Sequence, residues 1–284
     1  MLLGLLTALL WGLTDFLVGR NAKQAGALWS LLISNAVSVV ILLPLVLGLA
    51  PLDSAALRVE NAIYALLSAV LIAIGALLLC TAFKEGRISV IAPLVATYGC
   101  FTTFFAWLDG ALLADAQYGG IVLCTLGVGL ISQTRGQPPG ASNGGGLLPV
   151  LYALGAAFCW GLSFWMQGAY VLTVLSAPQM LLLNSCVGLV LVGLTVLALA
   201  LPRPRLPIEG QVSLVGAGVV NLAGFSSFAW GLSVGISSVV TVLSTLSGAI
   251  ACLMAVVFLK ERLQAVQMAG CVLIVCGAMI LSAN

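Results

Sequence analysis

Residues 8–20 read ALLWGLTDFLVGR and residues 157–169 read AFCWGLSFWMQGA, so a Trp-Gly pair followed by a polar stripe occurs twice in one chain. Three matches share one offset of 149 residues: Trp11 with Trp160, Asn35 with Asn184, and Gly75 with Gly224. Only six tryptophans are present, so their agreement with the asparagine match is hard to obtain by coincidence. We interpret the chain as an internal duplication.

The composition predicts a lipid environment. Hydrophobic residues make up 62% of the chain, charged residues 6%, and the mean hydropathy is +1.23. A spanning helix needs about 20 mostly apolar residues, and the sequence divides into ten such stretches. They cover residues 2–18, 27–49, 62–83, 88–108, 116–132, 147–166, 178–200, 212–232, 236–259 and 265–282. Pro93 predicts a kink in the fourth.

A short segment separates the two copies. Residues 135–146 read RGQPPGASNGGG, which is typical of a flexible connection because its prolines and glycines cannot continue a helix. We therefore predict a first five-helix repeat over residues 1–134, a linker over 135–146 and a second five-helix repeat over 147–284.

The basic residues predict how the helices are inserted. Lys and Arg in short loops stay on the cytoplasmic side, and nine of the ten lie in connections that follow odd-numbered helices, with Arg58 as the exception. This tally predicts that both termini lie outside. Because each copy has an odd number of helices, the two copies have opposite orientations.

The predicted fold class is therefore an all-α polytopic membrane protein. Ten transmembrane helices form two inverted five-helix repeats around a central cavity. Inverted repeats recur in secondary transporters, where the substrate lies between the halves near mid-membrane. Rocking one half against the other would give alternating access.

Polar residues within the spans indicate which faces turn toward such a cavity, since polar groups in hydrocarbon need partners or water. Helix one carries a stripe at helical spacing, and helix six repeats it. The candidate substrate-binding residues are Trp11, Thr14, Asp15, Asn35, Thr97, Tyr98, Trp160, Ser163, Gln167, Asn184, Asn221, Ser244 and Thr245. Asn35 and Asn184 have an alternative role as hydrogen-bond partners between helices.

Asp15 is the acid that lies well inside a predicted span. It would bind a substrate ammonium or carry a coupling proton, as carboxylates in transporters do, or it would pair with Arg20 or Lys23 at the helix end. The second copy has Phe164 at this position, so either function would be asymmetric.

Several function classes are disfavoured by what the sequence lacks. Histidine is absent and the eight cysteines have no metal-ligand spacing, so we predict no metal and no cofactor. A net charge of +2 gives no nucleic-acid footprint. A single aspartate within a predicted span, with no second acid and no lysine at similar depth, lacks the paired groups that catalysis needs. We therefore predict no enzyme activity.

Each copy opens with a Trp-Gly pair, and residues 258–270 read FLKERLQAVQMAG before a glycine-bearing last helix. In these features the chain resembles the EamA-like branch of the drug/metabolite transporter superfamily. The resemblance implies a fold with helices one to four and six to nine around the cavity, five and ten outside, and transport of small metabolites. The first copy departs from the pattern, because Ala111 stands where Glu261 stands in the second. Glu261 is thus open between a family role and a solvated loop cluster.

The preferred hypothesis is a secondary transporter in a lipid bilayer, in the bacterial cytoplasmic membrane. It would export small neutral, zwitterionic or cationic amphipathic metabolites such as amino acids, related compounds or drugs. Phosphorylated cargo is disfavoured, because every Lys and Arg lies at a loop or span end. The alternatives are a channel or lipid scramblase on the same helices, or a carrier of lipophilic amines that uses Asp15 with protons as the coupling ion.

Overall fold

A computed structural model of the protein describes residues 2–48, 58–110, 115–131, 147–234, 244 and 246–282. All regular secondary structure in these ranges is helical, which confirms the all-α class for this part of the chain. The α-helices are α1 (Leu2–Ala25), α2 (Ala27–Leu47), α3 (Val59–Glu85), α4 (Ile88–Val95), α5 (Tyr98–Leu108), α6 (Asp115–Ile131), α7 (Leu147–Met166), α8 (Ala177–Ala198), α9 (Ile208–Val234), α10 (Ser247–Phe258) and α11 (Ala265–Ser282). A short π-helical segment, Gln167–Val171, continues α7.

Seven helical segments in these ranges are long and apolar enough to cross a bilayer. They are α1, α2, α3, α4 together with α5, α7 with its π segment, α8, and α9 as far as Phe228. The helices α10 and α11 are apolar but shorter, and much of the predicted ninth span lies outside the described residues. The chain is an integral membrane protein, and the number of ten spans stays a prediction.

The predicted fourth span is broken after Pro93, between α4 and α5. Pro93 has no N–H to donate to the carbonyl of Ser89 one turn earlier, and that carbonyl accepts the Cys271 thiol instead, with Sγ 3.7 Å from the oxygen. Ala96 and Thr97 separate the two helices. All eight residues of α4 are buried, so the break lies deep within the fold.

The packing contacts between the two copies occur in equivalent pairs. Helix α1 packs against α9, and its counterpart α7 packs against α3, the counterpart of α9. Two glycines show this pairing at atomic level. A Cβ at Gly75 would clash with the Trp160 indole, and a Cβ at Gly224 would clash with the Trp11 indole. Each tryptophan therefore packs into a space that a glycine of the other copy leaves open.

The last helices of the copies, α6 and α11, pack against each other. Gly127 of α6 lies against the carbonyl of Gly270, and Gly277 of α11 lies against the carbonyl of Gly120 and the side chain of Cys124. Small residues at such a seam let helix backbones approach closely, which is how helices associate in lipid.

Glu261 joins parts of the two copies at one end of the bundle. Its carboxylate accepts hydrogen bonds from the backbone nitrogens of Ile88 and Ser89, at 3.3 and 2.9 Å, and from the Ser89 hydroxyl at 2.7 Å. Lys23 Nζ lies 3.6 Å from the same carboxylate. The side chain is only 10% exposed, so Glu261 caps the first turn of α4 and is not part of a solvated loop cluster.

Candidate substrate cavity

A cavity of about 180 Å³ lies between helices of both copies. Its walls come from α1 to α5 of the first copy and from α7 to α9 of the second, with Ser247 at the start of α10. This volume is below the roughly 300–1,000 Å³ of pockets that bind drug-sized molecules. The cavity therefore suits a small guest.

Most of the candidate binding residues lie on this cavity. The structure brings together Trp11, Thr14, Asp15, Asn35, Tyr98, Trp160, Asn184 and Asn221. These side chains belong to six different helices, and five of the eight come from the first copy and three from the second. They share one cavity because the two copies pack against each other.

Four other candidates are buried and are not among the residues that line the cavity. The Ser163 hydroxyl donates to the carbonyl of Ser68 at 2.8 Å, and the Gln167 amide donates to the Ser163 hydroxyl at 2.8 Å, which ties α7 to α3. The Thr97 hydroxyl donates to the Leu94 carbonyl at 2.6 Å. Ser244 is 1% exposed. Thr245 lies outside the described residues.

Asp15 lines the cavity without a cation beside it. It is half-buried, and within the described ranges it makes neither a hydrogen bond nor an ion pair. Lys23, one of its two predicted helix-end partners, instead lies beside Glu261. The structure thus favours the cavity-facing interpretation of Asp15 over the helix-end ion pair.

The two equivalent tryptophans differ in their hydrogen bonds. Trp160 Nε1 donates to the Ile72 carbonyl at 3.2 Å. Trp11 Nε1 is buried and has no hydrogen-bond partner among the described residues. The Trp11 ring packs against Phe225 and Phe228, with ring centroids 5.0 and 5.2 Å away. Neither indole N–H is therefore presented to a guest.

The two equivalent asparagines also differ. Asn35 Nδ2 donates to the Leu31 carbonyl of its own helix at 2.9 Å, and its side chain fills the space above Gly188. Asn184 Oδ1 is buried without a hydrogen-bond partner in the described structure. The alternative role of these residues as interhelical hydrogen-bond partners is not observed between described residues.

Sequence reasoning missed one wall of the cavity. Helix α3 contributes Ile72, Ala76, Leu79 and Cys80, and α4 contributes Ala92, Val95 and Ala96. These side chains are apolar or weakly polar, so a search for polar stripes gave no signal for them. A hint was present in Gly75, whose match with Gly224 marks α3 as a helix of close contact.

The described lining contains one acidic side chain, Asp15, and neither Lys nor Arg. An adjoining cleft shares Phe164 with the cavity and is also lined by Thr102, Trp165 and Asp109, so its described lining again has an acid and no base. Across the described residues, no group of three or more Cys, Asp or Glu side chains is placed to bind a metal ion.

Comparison with known proteins places these observations in a family. The sequence model described as "EamA-like transporter family" matches residues 1–133 and 147–283, which confirms the resemblance. No curated protein matches the chain. A solved structure titled "Crystal structure of protein" is 18% identical with a TM-score of 0.64, and the match covers 98% of this chain and 94% of that one. At this identity the likeness shows a shared fold.

Proposed function

We propose that this chain, which belongs to the EamA-like transporter family of membrane transporters, is a secondary carrier that moves small amphipathic metabolites through the central cavity by alternating access. The proposal rests on a cavity that is lined by both copies and on two equivalent Trp–Gly contacts between the copies. Trp11 packs on Gly224 and Trp160 packs on Gly75. Such reciprocal contacts are expected of repeats related by a pseudo-two-fold axis, and the inverted repeats of transporters are one such case. An arrangement of this kind would allow two equivalent positions of the halves.

The cavity lining supports a neutral, zwitterionic or cationic cargo. Apolar and aromatic side chains form most of the wall, with hydroxyl and amide groups between them and one carboxylate. A phosphorylated cargo would need cations at the site to offset its charge, and the described residues of the lining include neither Lys nor Arg. Amino acids, related compounds and small drugs fit this chemistry, and we propose export as the direction.

The position of the basic residues supports an orientation. Arg87 Nη1 donates to the Arg262 carbonyl at 2.6 Å, and Lys23 lies 3.6 Å from Glu261. Connections that follow the predicted helices one, three and nine thus meet at one end of the bundle. Because basic residues are retained in the cytoplasm, we propose that this end is cytoplasmic, in a bacterial cytoplasmic membrane, with both termini outside.

The test is counterflow in sealed proteoliposomes that contain the purified protein. Vesicles are loaded with one unlabelled compound from a panel of amino acids and alkylamines and diluted into a trace of the same labelled compound. A carrier gives a transient, saturable overshoot that depends on the internal compound. Flux without stimulation by the internal compound would identify a channel, and movement of fluorescent lipid alone would identify a scramblase.

A second candidate, a proton-coupled carrier of amines, is favoured by one observation. Asp15 faces the cavity and has no cation partner in the described structure. Carboxylates in that situation are a recurrent proton-binding device of transporters. The same vesicles with an imposed proton gradient test the coupling.

A further inference from the structure

We infer that the cavity selects a primary alkylammonium ion, in preference to the corresponding zwitterionic amino acid or quaternary ammonium ion. This inference rests on the proposed transport function and names the cargo head group for the same cavity. It follows from what the lining side chains do with their hydrogen-bond donors and from the charge of the lining.

Several polar groups of the lining donate their hydrogen bonds to acceptors within the protein. The Thr14 hydroxyl donates to the Leu10 carbonyl and the Ser185 hydroxyl donates to the Leu181 carbonyl, both at 2.8 Å. The Asn35 amide nitrogen donates to Leu31, as described above, and its carbonyl oxygen lies against Gly188 of α8. A hydroxyl that has donated its hydrogen still has lone pairs to offer. The Thr14 and Ser185 hydroxyls therefore present acceptors to a guest.

The indole N–H groups add no donor to this surface. Trp160 Nε1 is bonded to the Ile72 carbonyl, and Trp11 Nε1 is buried away from the open space. Asp15, as a carboxylate, adds acceptors only. A guest with several N–H donors therefore has acceptors available at the Thr14 and Ser185 hydroxyls and at the Asp15 carboxylate of the lining.

Charge selects among such guests. Asp15 is the acidic residue of the described lining, so a monocation beside its carboxylate gives a neutral pair in a site of low dielectric. A zwitterion adds a carboxylate that finds neither Lys nor Arg among the described lining residues. Asp109 in the adjoining cleft extends the same negative charge beyond Phe164.

Donor count separates primary from quaternary ammonium ions. A primary ammonium carries three N–H donors, like the lysine side chain, whereas a trimethylammonium ion carries none. A trimethylammonium ion would still be attracted by Asp15 and the aromatic rings. It would leave the acceptors of Thr14 and Ser185 without partners, at a cost for each buried group.

Four probes that share an isobutyl group separate the effect of charge from the effect of hydrogen-bond donors. They are 3-methylbutylamine, L-leucine, trimethyl(3-methylbutyl)ammonium and 3-methylbutan-1-ol. Leucine differs from the amine by one carboxylate, and the quaternary ion differs by three methyl groups in place of the three donors. The alcohol differs by the loss of the charge and of two of the three donors. Binding to the purified full-length protein is measured by isothermal titration calorimetry, and counterflow of each probe is measured in vesicles.

We expect 3-methylbutylamine to bind about tenfold or more tightly than each of the other three probes. If leucine bound as tightly as the amine or more tightly, the argument from charge would be wrong and the inference would be overturned. If the quaternary ion bound as tightly as the amine, the argument from hydrogen-bond donors would be wrong, with the same consequence. In either case saturable counterflow of the better probe would leave the carrier function intact, whereas absence of counterflow for every compound of the panel would overturn the carrier function itself.

Two variants test the assignment of acceptors. Thr14→Val keeps the side-chain shape and removes the hydroxyl, so we expect it to weaken amine binding more than binding of the quaternary ion. Thr125→Val is the matched control, because the Thr125 hydroxyl makes the same bond to its own helix, to the Ile121 carbonyl at 2.9 Å, on an exposed face. A parallel loss for both probes in Thr14→Val would show that Thr14 supports the fold and does not face the ammonium.

Discussion

The carboxylate of Glu261 accepts hydrogen bonds from the backbone nitrogen and the hydroxyl of Ser89, at 2.9 and 2.7 Å, although the two residues are 172 positions apart. Ser89 belongs to the first turn of α4, the fully buried helix that contributes to the cavity wall. A residue of the second copy therefore fixes the end of a central helix of the first. The sequence shows no acid at the matching place in the first copy, where Ala111 stands.

Glu261→Gln tests this cap. The substitution keeps the shape of the side chain but removes the negative charge that interacts with the first N–H groups of α4 and with the nearby Lys23. We expect a loss of about 1–3 kcal/mol in the free energy of unfolding, seen as a lower unfolding temperature in detergent. Glu209→Gln, at an exposed acid in the first turn of α9, is the control. Equal unfolding temperatures for the two variants would contradict the capping role.

Gly75→Ala tests the packing of Trp160. The added Cβ would clash with the indole, and overpacking of this kind typically costs about 1–3 kcal/mol. We expect lower thermal stability and slower counterflow, because the same contact joins the two copies beside the cavity.

Gly216→Ala, in α9, is the matched control for Gly75→Ala, since a Cβ there meets no atom within 4 Å. Alanine stabilises a helix by up to about 1 kcal/mol relative to glycine. The two substitutions should therefore shift the unfolding temperature in opposite directions. A shift of the same sign and size in both would mean that the Trp160 contact contributes nothing measurable.

The seam between α6 and α11 can be tested within one helix. Gly127→Leu places a side chain against the Gly270 backbone, whereas Gly129→Leu, two residues later, points into open space. We expect Gly127→Leu to lower the yield of folded protein and the unfolding temperature, while Gly129→Leu has little effect. Both quantities are measured by size-exclusion chromatography and thermal unfolding. Similar behaviour of the two variants would exclude a close helix contact here.

Asp15→Asn tests the coupling role. The amide cannot exchange a proton, so we expect loss of the uptake or efflux that a proton gradient drives, with counterflow retained in the absence of a gradient. Both assays use the same vesicles and the same labelled amine or amino acid. Gradient-driven transport equal to that of the unchanged protein would remove Asp15 from the coupling role.

Much of the architecture could be predicted from local sequence. The duplication is visible because Trp11, Trp160, Asn35 and Asn184 keep one register in a chain with few such residues. Helical class and membrane location follow from apolar length, since a backbone in lipid must satisfy its own hydrogen bonds. The break in the fourth span could be anticipated from Pro93, which cannot donate to Ser89.

The details of the cavity could be predicted only in part. A polar stripe indicates a face of a helix, but it does not say whether the face meets open space or another helix. Ser163 and Gln167 continue the stripe that begins at Trp160, yet both are buried against α3, with Ser163 bonded to Ser68. The apolar wall from α3 carries no polar pattern at all.

The sequence by itself determined that the chain is a duplicated bundle of apolar helices, because hydropathy and repeat spacing are properties of each segment alone. The tertiary structure decided which of two equivalent residues keeps a free polar group. Trp11 and Trp160 occupy equivalent positions in the two copies. The Trp160 N–H donates to the Ile72 carbonyl, whereas the Trp11 N–H has no partner among the described residues. Hydrogen bonding depends on tenths of an ångström between helices far apart in the chain, and that distance is set only when the copies pack together.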